Sequence, residues 1–294
     1  MLELNGVTKI YKTGTFGGMQ LTAVADVTFR VEPGEVVSLI GESGSGKTTV
    51  GKMILRMTDV TSGSIVFEGQ DVARLGRRAL RAYYGNVQGV FQDPFSSYNP
   101  VFKVDRVFEM IRANYLHGLG RSEWRERLQS SLEAVGLDTT EVLGKYPHQL
   151  SGGQLQRILI ARALILDIRF LVADEIISML DASTRIDVLN LLGDLKARGL
   201  GILFVTHDLS LGNYISDRTL ILRHGIVVEM GVTAKVFGNP VHPYTKMLLT
   251  SVPHLHDKWQ AVPRGLGAEL TSLYEGDGQG TALVEVEEGH FVAS

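Results

Sequence analysis

A short apolar run, Val36-Val37-Ser38-Leu39-Ile40, leads directly into Gly41-Glu42-Ser43-Gly44-Ser45-Gly46-Lys47-Thr48, and helical composition continues from Lys47 to Met57. This order of buried strand, glycine-rich turn and helix, with G-x-x-x-x-G-K-[ST] at the turn, constrains the fold more than any other feature of the chain. Glycines let successive backbone N–H groups turn inward on a polyanion, and the following helix aims its positive end at the same point. Ser43, Gly44, Ser45, Gly46 and Thr49 would line such a cradle. Lys47 would neutralise β- and γ-phosphates, and the Thr48 hydroxyl would ligate Mg²⁺. The plainer reading is a glycine turn that caps a helix.

The surrounding pattern alternates strands with helices. Strand-like runs at Leu2 to Tyr11, Ala23 to Val31 and Ser64 to Glu68 occupy the first third. From about Val101 to Val142 the apolar residues recur at helical steps, as in Val104, Val107, Phe108 and Ile111, so a helical block is inserted there. Strand–helix order resumes with a helix over Leu155 to Leu166, a strand over Phe170 to Ala173, a helix over Ile186 to Leu195 and a strand over Ile202 to Val205. Thr219 to Leu222 and Ile226 to Glu229 flank Arg223-His224-Gly225, a hairpin turn. The expected core is a mainly parallel sheet covered on both faces. The Gly-rich tail from His254 onward reads as a small appendage.

Composition narrows the setting. The chain has 294 residues, 44% of them hydrophobic and 21% charged, which is ample for a buried core. Its 29 basic and 32 acidic side chains leave a formal charge of −3, which argues against a strongly basic nucleic-acid surface. With no cysteine, disulfides, thiolate metal sites and cysteine nucleophiles are excluded. The most apolar stretch, Ile158 to Leu180, carries Arg162, Asp167, Arg169, Asp174 and Glu175 and is not a membrane span. Met1 to Asn5 does not open like a signal peptide.

A phosphate cradle needs a carboxylate to do chemistry. Arg169-Phe170-Leu171-Val172-Ala173-Asp174-Glu175 is an apolar strand ending in two acids. Asp174 would hold Mg²⁺ through water and Glu175 would polarise an attacking water. Alone, the pair could equally be a polar loop entry. Leu150-Ser151-Gly152-Gly153-Gln154 precedes the next helix, and Ser151 with Gln154 makes a capping box. Two glycines in that first turn weaken the helix by about 1 kcal/mol each relative to alanine. They would let another molecule's phosphate come close to the helix end.

Ser151-Gly152-Gly153-Gln154, between the phosphate loop and Asp174-Glu175, resembles the ATP-binding cassette (ABC) transporter ATPases over roughly residues 1 to 250. The resemblance implies an α/β P-loop NTPase core with an antiparallel β subdomain, a helical subdomain at about 95–165 and a short C-terminal extension. It places the ATPase domain at 1–240 and the extension at 241–294. Gln92 resembles the family's Q-loop glutamine, which senses Mg²⁺, and His207 its switch histidine at the γ-phosphate. Asp181 matches the D-loop, and Tyr11 is the expected aromatic on adenine, with Phe16 close by. Singly, His207 or Gln92 could be ordinary loop polarity.

Phe91-Gln92-Asp93-Pro94-Phe95-Ser96-Ser97-Tyr98-Asn99-Pro100 and Asn239-Pro240-Val241-His242-Pro243-Tyr244-Thr245 are similar to segments of the oligopeptide/dipeptide/nickel importer branch, as is the ending Val284 to Ala293. This implies ATP and Mg²⁺ as ligands and hydrolysis that drives uptake of oligopeptides, oligosaccharides or nickel. It also implies a second ATPase subunit, a related chain more than an identical one. Two transmembrane permease subunits, an extracytoplasmic solute-binding protein and a place on the cytoplasmic face of the membrane go with it. No nucleic acid is expected. Other readings are a soluble ABC ATPase acting on nucleic acid or ribosomes, and a non-hydrolysing regulatory subunit. The chain departs from the family at Ile176-Ile177, where the Asp-Glu pair is usually followed by proline, which could loosen that loop. The tail cysteines that hold an iron–sulfur cluster in some members are missing, so no such cluster is expected.

Overall fold

The computed structural model describes residues 1–13, 18–250 and 282–293. Strands β1 (Leu2–Thr13), β2 (Met19–Val31), β4 (Ser62–Phe67) and β5 (Gln70–Asp71) form an antiparallel sheet in the order β2-β1-β4-β5. A second sheet has β3 (Val36–Ile40) near its centre. It also holds β6 (Val87–Val90), β7 (Phe170–Asp174), β8 (Gly201–Thr206), β9 (Arg218–Arg223), β10 (Ile226–Val232), β11 (Leu283–Glu287) and β12 (His290–Ala293). Its order is β11-β12-β10-β9-β3-β8-β7-β6, with β9 to β6 parallel and β10, β12 and β11 antiparallel at one edge.

The parallel strands are apolar on both faces because both are covered. Val37, Leu39, Val172, Leu203 and Val205 point into a cluster shared with the antiparallel sheet and with α1 (Lys47–Ile54). Their neighbours Val36, Leu171, Ala173, Ile202 and Phe204 point the other way, into a cluster filled by α6 (Gly152–Leu164) and α7 (Ala182–Ala197). Side chains alternate across a strand, so each strand feeds two cores.

Between β4 and β7 lie α2 (Arg77–Asn86) and the helical block, α3 (Asp105–Tyr115), α4 (Arg121–Glu133) and the single turn α5 (Thr139–Val142). Phe108, Trp124 and Leu132 join this block to the cluster under α6. The chain closes with α8 (Leu209–Ile215), α9 (Thr233–Gly238) and α10 (Pro243–Thr250).

The elements expected from the sequence are present with shifted ends. Helix α6 begins at Gly152, before the expected Leu155, because the capping box starts it there. Strands β5 and β6 and helices α2, α8, α9 and α10 are additions, short or polar enough to lack a clear periodic signal. The tail differs most from expectation. Residues 254–281 lie outside the described residues, but β12 pairs with β10 and extends the core sheet. His290 is fully buried there, so this part of the tail is an edge of the domain.

Candidate active site

The phosphate loop lies between the end of β3 and the start of α1. Gly44 and Gly46 have φ of +82° and +105°, values that side-chain-bearing residues avoid. A Cβ on Gly41 would sit 2.1 Å from the Leu222 carbonyl oxygen, and one on Gly46 would sit 2.3 Å from that of Ala23. Only glycine fits at either place. No side chain caps α1, so its first N–H groups are left for an anion.

Lys47 is buried, and its Nζ donates to the carbonyl oxygens of Gly41 at 2.7 Å and Glu42 at 2.8 Å. Burial pulls its pKa below the usual lysine value, and Glu175, Asp174 and Glu42 work against that shift. The ammonium is thus folded back on the loop, within reach of the phosphates that the loop would hold.

Two strand ends bring the acids to this point. Asp174 ends β7, and its carboxylate accepts from the Thr48 hydroxyl at 3.4 Å. Burial raises its pKa, while the Thr48 hydrogen bond lowers it. Glu175 follows at φ +51°, a strained value for a residue with a side chain. Its N–H donates to the Val205 carbonyl at 2.9 Å, which fixes the loop across to β8. Just beyond β8, His207 places Nδ1 3.3 Å from the Glu175 carboxylate.

Ile176 and Ile177 are both buried in the core under α6 and α7. The Glu175 carbonyl accepts from the backbone N–H and the hydroxyl of Ser178. Apolar burial and these bonds anchor the segment in which the usual proline is missing.

A cleft of about 860 Å³ joins the phosphate loop, Tyr11, Gln92, Glu175 and His207. The volume falls in the range of small-molecule sites. Lys9 Nζ lies 4.9 Å from the centroid of the Tyr11 ring and so occupies one face of it. Phe16, the other aromatic considered for the base, lies outside the described residues.

Thr48, Asp174 and Gln92 offer oxygen donors around one end of the loop. This hard, sparse set suits Mg²⁺, which takes few protein ligands and completes its shell with water and phosphate oxygens. Among the described residues no group of three or more His, Cys, Asp or Glu could hold a metal by itself.

Ser151, Gly152, Gly153 and Gln154 do not line this cleft. The Ser151 Oγ accepts from the Gln154 N–H at 3.2 Å, and the Gln154 Oε1 accepts from the Ser151 N–H at 3.0 Å. Both glycines lie inside α6 with ordinary helical φ. A Cβ on Gly153 would meet the Thr184 methyl at 2.9 Å, so packing within the chain also favours glycine there. Asp181 caps α7, accepting from the Thr184 N–H and from the Thr184 and Ser183 hydroxyls. These bonds, the Ser183 hydroxyl first, hold its pKa below the usual carboxylate range.

Sequence reasoning missed two contacts that only the fold brings to the cleft. Leu248 of α10 lines it, and the Tyr244 hydroxyl accepts a hydrogen bond from the Glu42 N–H of the phosphate loop at 3.2 Å. The His-Pro-Tyr segment contains Tyr244 and runs on into Leu248, but nothing in its spacing indicated where it would land.

Known proteins match this arrangement. Residues 24–178 match the ABC transporter family, and residues 228–277 match the oligopeptide/dipeptide transporter C-terminal region. The dipeptide transport ATP-binding protein DppF of Lactococcus lactis is 41% identical, with all of this chain and 94% of that protein covered. The oligopeptide transport ATP-binding protein AmiF of Streptococcus pneumoniae is 40% identical, with 94% and 90% covered. Among solved structures, the ATP-binding cassette MJ0796, dimeric in a post-hydrolysis state with ADP and Pi, superposes with a TM-score of 0.71 at 28% identity. That match covers 79% of this chain and 99% of the cassette. With the phosphate loop, the acid pair and the C-terminal segment all in place, the chain belongs to the ABC transporter ATPases and carries the C-terminal region of their oligopeptide/dipeptide branch.

Proposed function

We propose that this chain is the ATP-hydrolysing subunit of an importer that takes up peptides through membrane partners. The observation that carries the reading is the assembly of Lys47, Thr48, Gln92, Glu175 and His207 around one cleft in a chain with the oligopeptide/dipeptide C-terminal region. Relatives named for dipeptide and oligopeptide transport support the solute class.

The residues divide the chemistry among them. Backbone N–H groups of residues 43–48 bind the phosphate chain, and Lys47 turns from its carbonyl partners to the β- and γ-phosphates. Thr48, Asp174 and Gln92 would hold Mg²⁺, which would supply charge neutralisation on those oxygens. Tyr11 packs on the adenine with the ring face that Lys9 leaves open. Glu175 takes a proton from water as the water oxygen bonds to the γ-phosphorus. The bond from γ-phosphorus to the β-bridging oxygen breaks, and its electron pair leaves with ADP. His207, beside the Glu175 carboxylate, orients that group and the γ-phosphate.

The exposed Ser151 segment lies outside its own chain's cleft, as a motif that covers a partner's ATP must. The partner is read as a second, related ATPase, with an identical chain as the alternative and Asp181 near the contact. Two permease subunits would receive the motion through the Gln92 loop, with a solute-binding protein outside the membrane. The chain would then sit peripherally on the cytoplasmic face of the membrane. Among the described residues no helix is long and apolar enough to cross it.

Affinity purification from native membranes in mild detergent, followed by mass spectrometry, tests this reading. Recovery of two multi-spanning subunits and a second ATPase is expected. Ribosomal or DNA-repair proteins without a membrane subunit would overturn transport.

A further inference from the structure

The C-terminal segment does more than close the fold. Helix α10 follows directly on His242 and opens with Pro243-Tyr244, and the buried Tyr244 hydroxyl accepts from the Glu42 N–H at the front of the phosphate loop. Leu248, one turn on, lines the nucleotide cleft. Leu248 also packs in a small apolar cluster with Ile40, which precedes the loop, and with Leu209, just past His207. Helix α10 therefore shares one apolar cluster with residues that flank both segments facing the phosphates.

The position of Tyr244 is set from behind. The fully buried carboxylate of Glu229 accepts from the N–H groups of Val241 at 2.9 Å and His242 at 3.0 Å. The same carboxylate pairs with the buried His290 ring at 2.7 Å. If Nε2 carries the hydrogen to Glu229, Nδ1 keeps a bare lone pair, cheaper to bury than a donor without an acceptor. Glu229 is on β10 and His290 on β12, so the tail hairpin, the core sheet and the start of α10 meet at one carboxylate.

A second brace reaches the loop from the β9–β10 turn. The Gly225 N–H donates to the Ser45 carbonyl at 2.8 Å. Arg223, which opens that turn, lies 5.2 Å from the centroid of the Tyr244 ring. The two braces thus touch each other.

We propose that Tyr244 is a positioning residue for the phosphate loop, so that the branch-specific C-terminal segment sets how well the chain holds nucleotide phosphates. The inference rests on the nucleotide reading of the cleft. Tyr244 holds the loop backbone at Glu42, just ahead of the N–H groups that would bind the phosphates, and has no need to touch the nucleotide. Removing its hydroxyl should therefore weaken every ligand that uses the loop, whatever else the ligand carries.

The test compares full-length wild type with Tyr244→Phe, which keeps the ring. Dissociation constants are measured for ATP and for inorganic tripolyphosphate, and KM and kcat in the assembled ATPase. Loss of one hydrogen bond should raise both dissociation constants by the same factor, about three- to tenfold. KM should rise likewise while kcat stays within about twofold. Unchanged binding of both ligands would overturn the proposal, as would a loss confined to ATP or a fall in kcat at constant KM. Failure of wild type to bind ATP would instead overturn the nucleotide reading on which the proposal stands.

Discussion

Two glycine-bearing segments of this chain each lead into a helix, and they end as opposites. In residues 41–48 Gly44 and Gly46 adopt positive φ, no side chain caps α1, and the lysine is folded into its own loop. In residues 151–154 the glycines are helical and the capping box is closed on both sides. One segment is an unfinished helix end held in shape by neighbouring elements. The other is a finished helix end that needs no ligand to be stable and stays exposed. On the proposed assembly, the loop that would hold nucleotide in its own chain and the segment that would be offered to a partner's nucleotide thus differ in how the helix N-terminus is satisfied.

The largest expected effect probes the chain's own cleft. Glu175→Gln should leave ATP binding intact and lower turnover by at least about a hundredfold, as removal of a general base does. Single-turnover phosphate release measures it, and wild-type-like turnover would remove Glu175 as the base. Next comes the offered side. Ser151→Ala should lower turnover of the assembled ATPase about tenfold, the worth of one charge-assisted hydrogen bond, with little change in ATP affinity of the dilute chain. A large loss of affinity in the dilute chain would break the distinction, because Ser151 would then serve its own chain's cleft.

Glu229→Ala strips three donors of their acceptor and should cost about 2 kcal/mol in chemical denaturation. It sharpens the comparison if amide protection falls in residues 41–46 and holds in residues 151–155 under hydrogen exchange. The smallest effect lies beside α6. Asp181→Ala frees Thr184, which packs on Gly153, and should lower the melting temperature slightly near neutral pH. The folded pKa of Asp181 is depressed, so its contribution is present above the ordinary carboxylate value and fades as pH falls towards the lower folded one. The difference between variant and wild type should therefore shrink below about pH 4. A difference independent of pH would mean that the cap does not depend on the carboxylate charge.

Much of the candidate site is legible in the sequence, for a local physical reason. A phosphate loop is a contiguous device, with glycine backbone freedom, a lysine and a hydroxyl within eight residues, and the short strand Val36–Ile40 announces it. The acid pair at the end of β7 and His207 after β8 were legible too. Parallel strands bring their C-terminal ends together, so residues just after apolar runs converge. The alternation of helices and strands determined the covered sheet in the same way.

Tertiary structure alone decided the rest. No periodicity showed that β12 would pair with β10, because the register sets Glu229 against Val292, far along the chain, and brings the His290 ring onto the Glu229 carboxylate. Nor could the composition of Asn239 to Thr245 reveal that Tyr244 reaches Glu42, 202 residues earlier in the chain. Ile176 and Ile177 looked like a loop losing its proline, yet burial makes them anchors. Local sequence determines what a short stretch can do on its own. Which distant partner a buried carboxylate or hydroxyl meets depends on how the layers pack, and that is settled only when the whole chain excludes water together.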